Sequence, residues 1–326
     1  MNLTDIKLHI SQLIGRNKIR TYVHQLIKVS KYRFYGKKTE PKVIYFIDGS
    51  NYGGGLTDRL RQIMGMYTIC KSKGYKFGLI ANHPFELSDY LKPNYDWLES
   101  TSELSRNIFH TKPIYLGFRS RDEYLSLIHL KKRQLHLWGS VHWGWFDEFG
   151  YRMDEIFWEL FKPNPIITEL INKYKSQYHS WDCIVFRFQN LLGDFNEHQS
   201  ANYGNVKLNH NQQQELVDIC LKYVKNRTSD SKHFTLVCAD SQTFLEIVKN
   251  LPNVFVIPGK LTHMEYSASN DFNLHLKSFV DFFMISESDS VESVGTEIMY
   301  PTDFPVMAAA IRNKPFKRVL LNSNEK

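Results

Sequence analysis

Apolar residues in this chain fall into two patterns: short continuous runs, and longer stretches where they recur at helical spacing. Lys42–Ile47 (KVIYFI) reads as a buried strand, and a helix follows over Leu56–Lys73. Leu56, Leu60, Ile63, Met64 and Tyr67 form one face of that helix, and Gly74 is its stop. Tyr75–Ala81 is the next strand. Residues 85–135 read as polar with short helical patterns. Beyond the Pro163 and Pro165 link, a helix is expected at 166–176, then a strand over Cys183–Phe186 ending on Arg187. The same alternation continues with a helix at 211–226, the strand Phe234–Ala239, a helix at 242–249 and the strand Val254–Ile257. Leu274–Ile285 reads as a helix and a strand around Asp281, Asp303 caps a helix running through Ile311, and Arg318–Leu321 is the last strand. Strand–helix alternation in both halves predicts an α/β chain of two Rossmann-like domains facing each other across a cleft. The expected division is an arm over 1–40, a first domain over 41–178 and a second over 179–326.

Charge changes the picture only at the amino end. Residues 1–38 hold nine Lys or Arg and one acid, Asp5, which leaves 32 basic and 33 acidic residues in the rest. A near-neutral body is what an ordinary enzyme carries, and it argues against a nucleic-acid-binding surface. In the arm, Leu3, Ile6, Ile10, Leu13 and Ile14 fall at helical spacing, and Ile19, Tyr22, Val23, Leu26 and Ile27 repeat the pattern after Gly15. Basic amphipathic helices suit an anionic membrane surface through residues 1–38; packing on the body or on a second subunit is the competing reading. No apolar stretch reaches the roughly 18 residues that span a bilayer, and the first 15 residues do not read as a secretory signal. The four cysteines lack CxxC spacing and read as buried free thiols. The expected location is cytoplasmic, peripheral on the inner face of the cell membrane.

Polar residues at strand ends and helix starts are the candidate chemistry: Arg187, Asn190, Asp240, Asp281, Thr302 and Asp303. In a parallel sheet such ends share one edge, where anionic ligands bind, and a guanidinium offers a planar fork to phosphate oxygens. Gly53-Gly54-Gly55 precedes a helix start, whose free amides also favour an anion. His142, Trp143 and Trp145 lie in an aromatic cluster that could face a sugar or simply pack in a core. No Asp-x-Asp metal–diphosphate motif is present, so neither metal nor cofactor is expected.

Three segments resemble the GDP-fucose-dependent fucosyltransferases, the group of α-1,6- and α-1,2-fucosyltransferases and protein O-fucosyltransferases. Gly53-Gly54-Gly55-Leu56-Thr57-Asp58-Arg59-Leu60 is similar to that group's Gly-Gly-Leu-x-Asn/Asp-Arg-Leu opening. Val185-Phe186-Arg187-Phe188-Gln189-Asn190 is similar to its His-x-Arg-x-x-Asp/Asn motif, with Val185 in the histidine position. Asp281-Phe282-Phe283 and Tyr300–Ala309 resemble its third motif. The resemblance implies the two-domain GT-B type of glycosyltransferase fold and a transfer of fucose from GDP-fucose to a glycan or lipid-linked oligosaccharide in polysaccharide biosynthesis. It implies that Arg187 binds the β-phosphate, Asp281 reads guanine, Thr302 bonds a phosphate and Asp240 supports the donor. Gly54, Gly55, Asn190 and Phe304 complete the donor side, and His142, Trp143 and Trp145 the acceptor side. Asp194 or Glu197 is the candidate base of an inverting transfer. Another nucleotide-sugar donor on the same fold is the alternative raised by Val185. A non-catalytic protein binding membrane or nucleic acid through the arm is the alternative of a different class.

Overall fold

The computed structural model describes residues 16–36, 39–50, 54–101, 104–117, 121–131, 134–139, 146–195, 207–229, 233–259, 261–262, 269 and 271–322. The chain divides into two compact units, one running through Ser88 and then over Pro93–Lys162, the other made of Asp89–Lys92 and Pro163–Lys326. The division falls at the proline-marked link, whereas the sequence reading placed it at 178/179. Residues 16–36 belong to the first unit.

In the first unit the main elements are α1 (Arg16–Val29), β1 (Lys42–Ile47), α2 (Leu56–Ser72), β2 (Phe77–Ala81), β3 (Thr111–Tyr115), α3 (Arg121–Leu127), β4 (Gln134–Trp138) and α4 (Met153–Leu160), beside the short strand Phe161–Pro163, which pairs with Leu91–Pro93. The four strands pair in parallel in the order β2-β1-β4-β3. Strands buried on both faces read as continuous apolar runs, and β1 and β2 were legible for that reason. β3 and β4 were not. β4 is Gln134-Leu-His-Leu-Trp, fully buried despite its polar alternates. His136 is 0% exposed: its Nε2–H donates to Gln134 Oε1 (2.9 Å), and its Nδ1 accepts from the Tyr32 hydroxyl. Both ring nitrogens are thus satisfied by a neutral imidazole, and burial pushes the His136 pKa down to about 3, with Arg106 adding to the shift.

α1 covers the open edge of β3. The Gln25 side chain acts as a surrogate strand, its Nε2 donating to Pro113 O (2.9 Å) and its Oε1 accepting from Tyr115 N (2.6 Å). His24 stacks on Tyr115 with centroids 4.7 Å apart. Unpaired edge backbone is a liability that a covering helix removes.

In the second unit the elements are α5 (Pro165–Tyr178), β5 (Trp181–Phe186), α6 (His210–Thr228), β6 (Phe234–Ala239), α7 (Gln242–Val248), β7 (Val254–Phe255), α8 (Phe272–Glu287), β8 (Val291–Gly295), α9 (Phe304–Ala310) and β9 (Phe316–Leu320). The five strands are all parallel, in the order β9-β8-β5-β6-β7. The starts of α5, α6 and α7 carry side-chain caps, whereas Asp303, expected to cap α9, makes no side-chain capping bond. Asn164 Oδ1 accepts from Ile166 N and Ile167 N, Asn209 and Gln212 form a reciprocal capping box, and Ser241 Oγ accepts from Phe244 N. The strand expected around Asp281 is absent: Phe272–Glu287 is one helix. Its run of Phe279, Val280, Phe282, Phe283, Met284 and Ile285 is buried on every side, so it lacks the one-sided stripe that marks a surface helix. The strand of that region is β8, Val-Glu-Ser-Val-Gly, whose Glu292 and Ser293 hid it.

Candidate functional site

Chain order sets the position of the site. From β5 the second unit runs outward through β6 and β7, then returns to add β8 on the other side of β5 and β9 beyond it. The strand order therefore reverses between β5 and β8, and ligands of open α/β sheets bind outside the carboxyl ends of strands at such a reversal. Phe186 is in register with Ala239 of β6 and Val294 of β8. The residues that follow, Arg187, Asp240 and Gly295-Thr296, thus stand in a row on the carboxyl edge.

Arg187 Nη1 lies 3.1 Å from Asp240 Oδ2, with side-chain exposures of 22% and 2%. The same carboxylate accepts from Phe188 N (2.7 Å) and Gln189 N (2.8 Å). Gln189 takes a left-handed φ of 52° and so turns the chain back over Asp240. Burial raises the Asp240 pKa, and the Arg187 guanidinium with the Phe188 and Gln189 amides opposes the rise. The guanidinium also lies 5.0 Å from the centroid of the Phe195 ring. Arg187 is thereby held by a buried acid and an aromatic face while its side chain stays partly exposed. Such a fixed cation suits a diphosphate.

Thr296, at the end of β8, was missed in the sequence. Its Oγ1 is buried and has no hydrogen-bond partner among the described residues. A buried hydroxyl without a partner costs about 1–3 kcal/mol, which makes it a candidate ligand atom. Its one signal in the sequence is its place one residue past a strand, and Glu292 and Ser293 break the apolar run of that strand.

In the first unit the carboxyl edge carries a second polar cluster. The strand order reverses between β1 and β4, and Asp48 follows β1 directly. Trp138 Nε1 donates to Asp48 Oδ2 (3.0 Å), Ser50 N donates to Asp48 Oδ1 (3.1 Å), and the Ser50 hydroxyl bonds both Asp48 and Lys28. Lys28 is 2% exposed and its Nζ lies 4.6 Å from the Trp138 ring centroid. Burial lowers the Lys28 pKa to about 8 against the opposing pull of Asp48. The glycine-rich turn is pinned by the two charged residues that follow it. Gly55 N donates to Asp58 Oδ2 (3.1 Å), and Arg59 donates through Nε to Gly54 O (3.1 Å) and through Nη1 to His83 O (2.8 Å). Gly54 has φ +75°, and a Cβ there would meet Asp58 Oδ2 at 2.5 Å.

No protein-family model and no curated protein matches the chain in sequence. Solved structures do match in fold. A mutant of Arabidopsis thaliana FUT1 in complex with GDP is similar with TM-score 0.55 and 11% identity, over 97% of this chain and 78% of that one. NodZ α-1,6-fucosyltransferase soaked with GDP-fucose is similar with TM-score 0.54 and 12% identity, over 84% of this chain and 93% of that one. NodZ from Bradyrhizobium gives TM-score 0.52 at 13% identity, over 83% and 92%. The chain has the fucosyltransferase fold.

Within that fold, the residues expected at the donor differ in what holds them. Arg187 and Asp240 meet directly. Asn190 lies in the turn after β5, its carbonyl accepting from Gly193 N (3.2 Å). Thr302 Oγ1 accepts from Phe304 N (3.2 Å) at the start of α9, and the Phe304 ring meets Phe282 edge-on at 5.7 Å. Asp303 pairs with Arg318 at 2.8 Å on the surface. Asp281 does not stand at the strand end expected of it. It sits in mid-helix, 3% exposed, with Lys277 Nζ donating to both of its oxygens at 2.9 and 2.8 Å. Burial raises its pKa and Lys277 opposes the rise. Asp194, expected as a base, is an exposed residue whose Oδ2 accepts from Ser241 Oγ and Thr243 N, both at 2.8 Å, which ties the β5 loop to the start of α7. Glu197, His142, Trp143 and Trp145 lie outside the described residues. Among the described residues no three His, Cys, Asp or Glu side chains cluster to hold a metal ion.

Proposed function

We propose that this protein is a glycosyltransferase that moves fucose from GDP-fucose to a glycan acceptor, with inversion and without a metal. The observation that carries the reading is the Arg187–Asp240 pair at the reversal point of the second sheet, in a fold shared with fucosyltransferases solved with GDP and GDP-fucose. Arg187 donates to the β-phosphate and stabilises the charge that builds on GDP as the bond from fucose C1 to the phosphate oxygen breaks. Asp240 acts as a positioning residue that holds the guanidinium. The acceptor hydroxyl oxygen bonds to C1 from the opposite side, and its proton passes to a carboxylate, for which Asp194 and Glu197 are the candidates. The acceptor is a glycan, lipid-linked in the setting of polysaccharide synthesis. Thermal shift in GDP, UDP, CDP and their sugars tests the donor, since a ligand that binds the folded state raises the midpoint. Stabilisation by GDP and GDP-fucose is expected; stabilisation by UDP compounds alone would contradict it.

One observation favours a second reading, a different nucleotide sugar on the same fold. Val185 stands two residues before Arg187, in the place where the resembling motif has a histidine, and it is an apolar strand residue 5% exposed. It offers the donor no hydrogen bond.

A further inference from the structure

α1 is amphipathic in the reverse sense. Its inward side is polar: Thr21 and Lys28 are buried, and His24 and Gln25 bond or stack against β3. Among the described side chains its outward side is apolar, with Tyr22 63%, Leu26 69%, Ile27 50% and Val23 49% exposed. Globular proteins normally place these faces the other way round, because apolar area gains free energy when it leaves water. A helix that pays its polar residues into the protein and turns tyrosine, valine, leucine and isoleucine outward has a second apolar phase as its counterpart. The exposed apolar character continues past the helix in Phe34 (74%), and Arg33 donates to the Tyr35 hydroxyl beside it at 2.8 Å.

Charge selects the partner. From Ile6 to Thr39 the sequence has nine Lys or Arg and no acidic residue, and Lys31 and Arg33 are exposed at the end of α1. A second copy docking the same face would bring two such cationic segments together, which disfavours a self-complementary contact. Anionic lipid headgroups over an acyl layer complement both properties at once: the cations meet the headgroups and the apolar side chains enter the boundary beneath them. We infer that the outward face of α1 is a docking surface for an anionic lipid bilayer, with Tyr22, Leu26 and Ile27 as the inserted residues. The inference is independent of the donor and of the transfer reaction, because it concerns only this helix.

The test is co-sedimentation of the full chain with vesicles of phosphatidylcholine alone and of phosphatidylcholine and phosphatidylglycerol in equal parts. The wild type is expected to bind the anionic vesicles at least about tenfold more tightly than the neutral ones, and to lose most of that preference in high salt. Leu26→Gln with Ile27→Gln leaves the charge unchanged and is expected to weaken binding by about tenfold or more with the unfolding midpoint unaltered. Equal binding to both vesicle types, or no binding by the wild type, would overturn the inference. So would a wild-type dimer that the double variant converts to a monomer, which would assign the face to a second copy. A double variant that loses thermal stability would likewise count against it, because the face would then be covered by the chain itself.

Discussion

Arg187 and Asp240 leave adjacent parallel strands one residue past the paired Phe186 and Ala239, and their side chains meet at 3.1 Å. The sheet register itself brings the pair together. Asp240 has three roles in that position: it neutralises the guanidinium, fixes its direction and accepts two backbone amides of the turn that follows β5. The cation reaches the sheet edge already oriented, so little reorganisation is left for ligand binding.

Asp240→Ala removes an acceptor from the Phe188 and Gln189 amides and takes the buried carboxylate away from the Arg187 guanidinium. Breaking a buried pair from one side costs about 3–5 kcal/mol, and urea denaturation is expected to register a loss of that order. Asp240→Asn keeps the shape and one acceptor oxygen, so it is expected to lose less stability while lowering kcat/KM by about tenfold or more.

The Lys277–Asp281 pair is expected to act in folding and not in donor binding. Lys277→Met alone leaves a buried carboxylate uncompensated and is expected to cost about 3–5 kcal/mol. Lys277→Met with Asp281→Leu removes both charges and is expected to recover most of the loss. GDP affinity of the double variant, measured by calorimetry, is expected to match the wild type. A large drop would return Asp281 to the donor site.

Thr296 separates stability from binding. Thr296→Val replaces a buried hydroxyl that lacks a partner with a methyl of the same shape, so the unliganded protein is expected to gain about 1 kcal/mol. If the hydroxyl meets the donor, the same variant binds GDP-fucose several-fold more weakly. Thermal unfolding with and without the nucleotide sugar measures both effects on one sample.

His136 predicts a loss of stability in acid. In the folded protein its pKa is lowered to about 3, while in the unfolded chain it returns to the ordinary value of 6.5. Between these values the unfolded chain binds the extra proton, so stability rises with pH across the window and is lost as pH falls from about 6.5 toward 3. At pH 4 the difference is on the order of 3 kcal/mol. His136→Gln cannot titrate, and its denaturation free energy is expected to vary less over the same range.

Much of the second sheet was legible because its strands are continuous apolar runs that stop at a charged residue. Cys183–Phe186 before Arg187 and Phe234–Ala239 before Asp240 are the two examples that built the site. What stayed hidden followed from burial of polar groups, which a pattern of apolar positions does not register. β4 hides a neutral histidine, β8 carries Glu292 and Ser293, and α8 is buried all round, so Asp281 read as the end of a strand. The Lys28–Asp48–Trp138 cluster joins residues from an arm, a loop and a strand, and no local spacing connects them. The amphipathic pattern of residues 16–29 was legible but its orientation was not, and the matching pattern over Leu3–Ile14 lies outside the described residues. Only the contacts of Gln25 and His24 with β3 show that the polar side faces in.

Isothermal titration of GDP into the wild type and Arg187→Lys most directly tests Arg187 as the diphosphate ligand. Lysine keeps the charge that Asp240 needs but lacks the planar fork, so the fold should survive while phosphate recognition weakens. The expected result is GDP binding by the wild type and an affinity about 10- to 100-fold lower in the variant, with equal thermal stability of the two unliganded proteins. Equal affinity in both proteins, or a wild type that binds UDP and not GDP, would contradict the assignment.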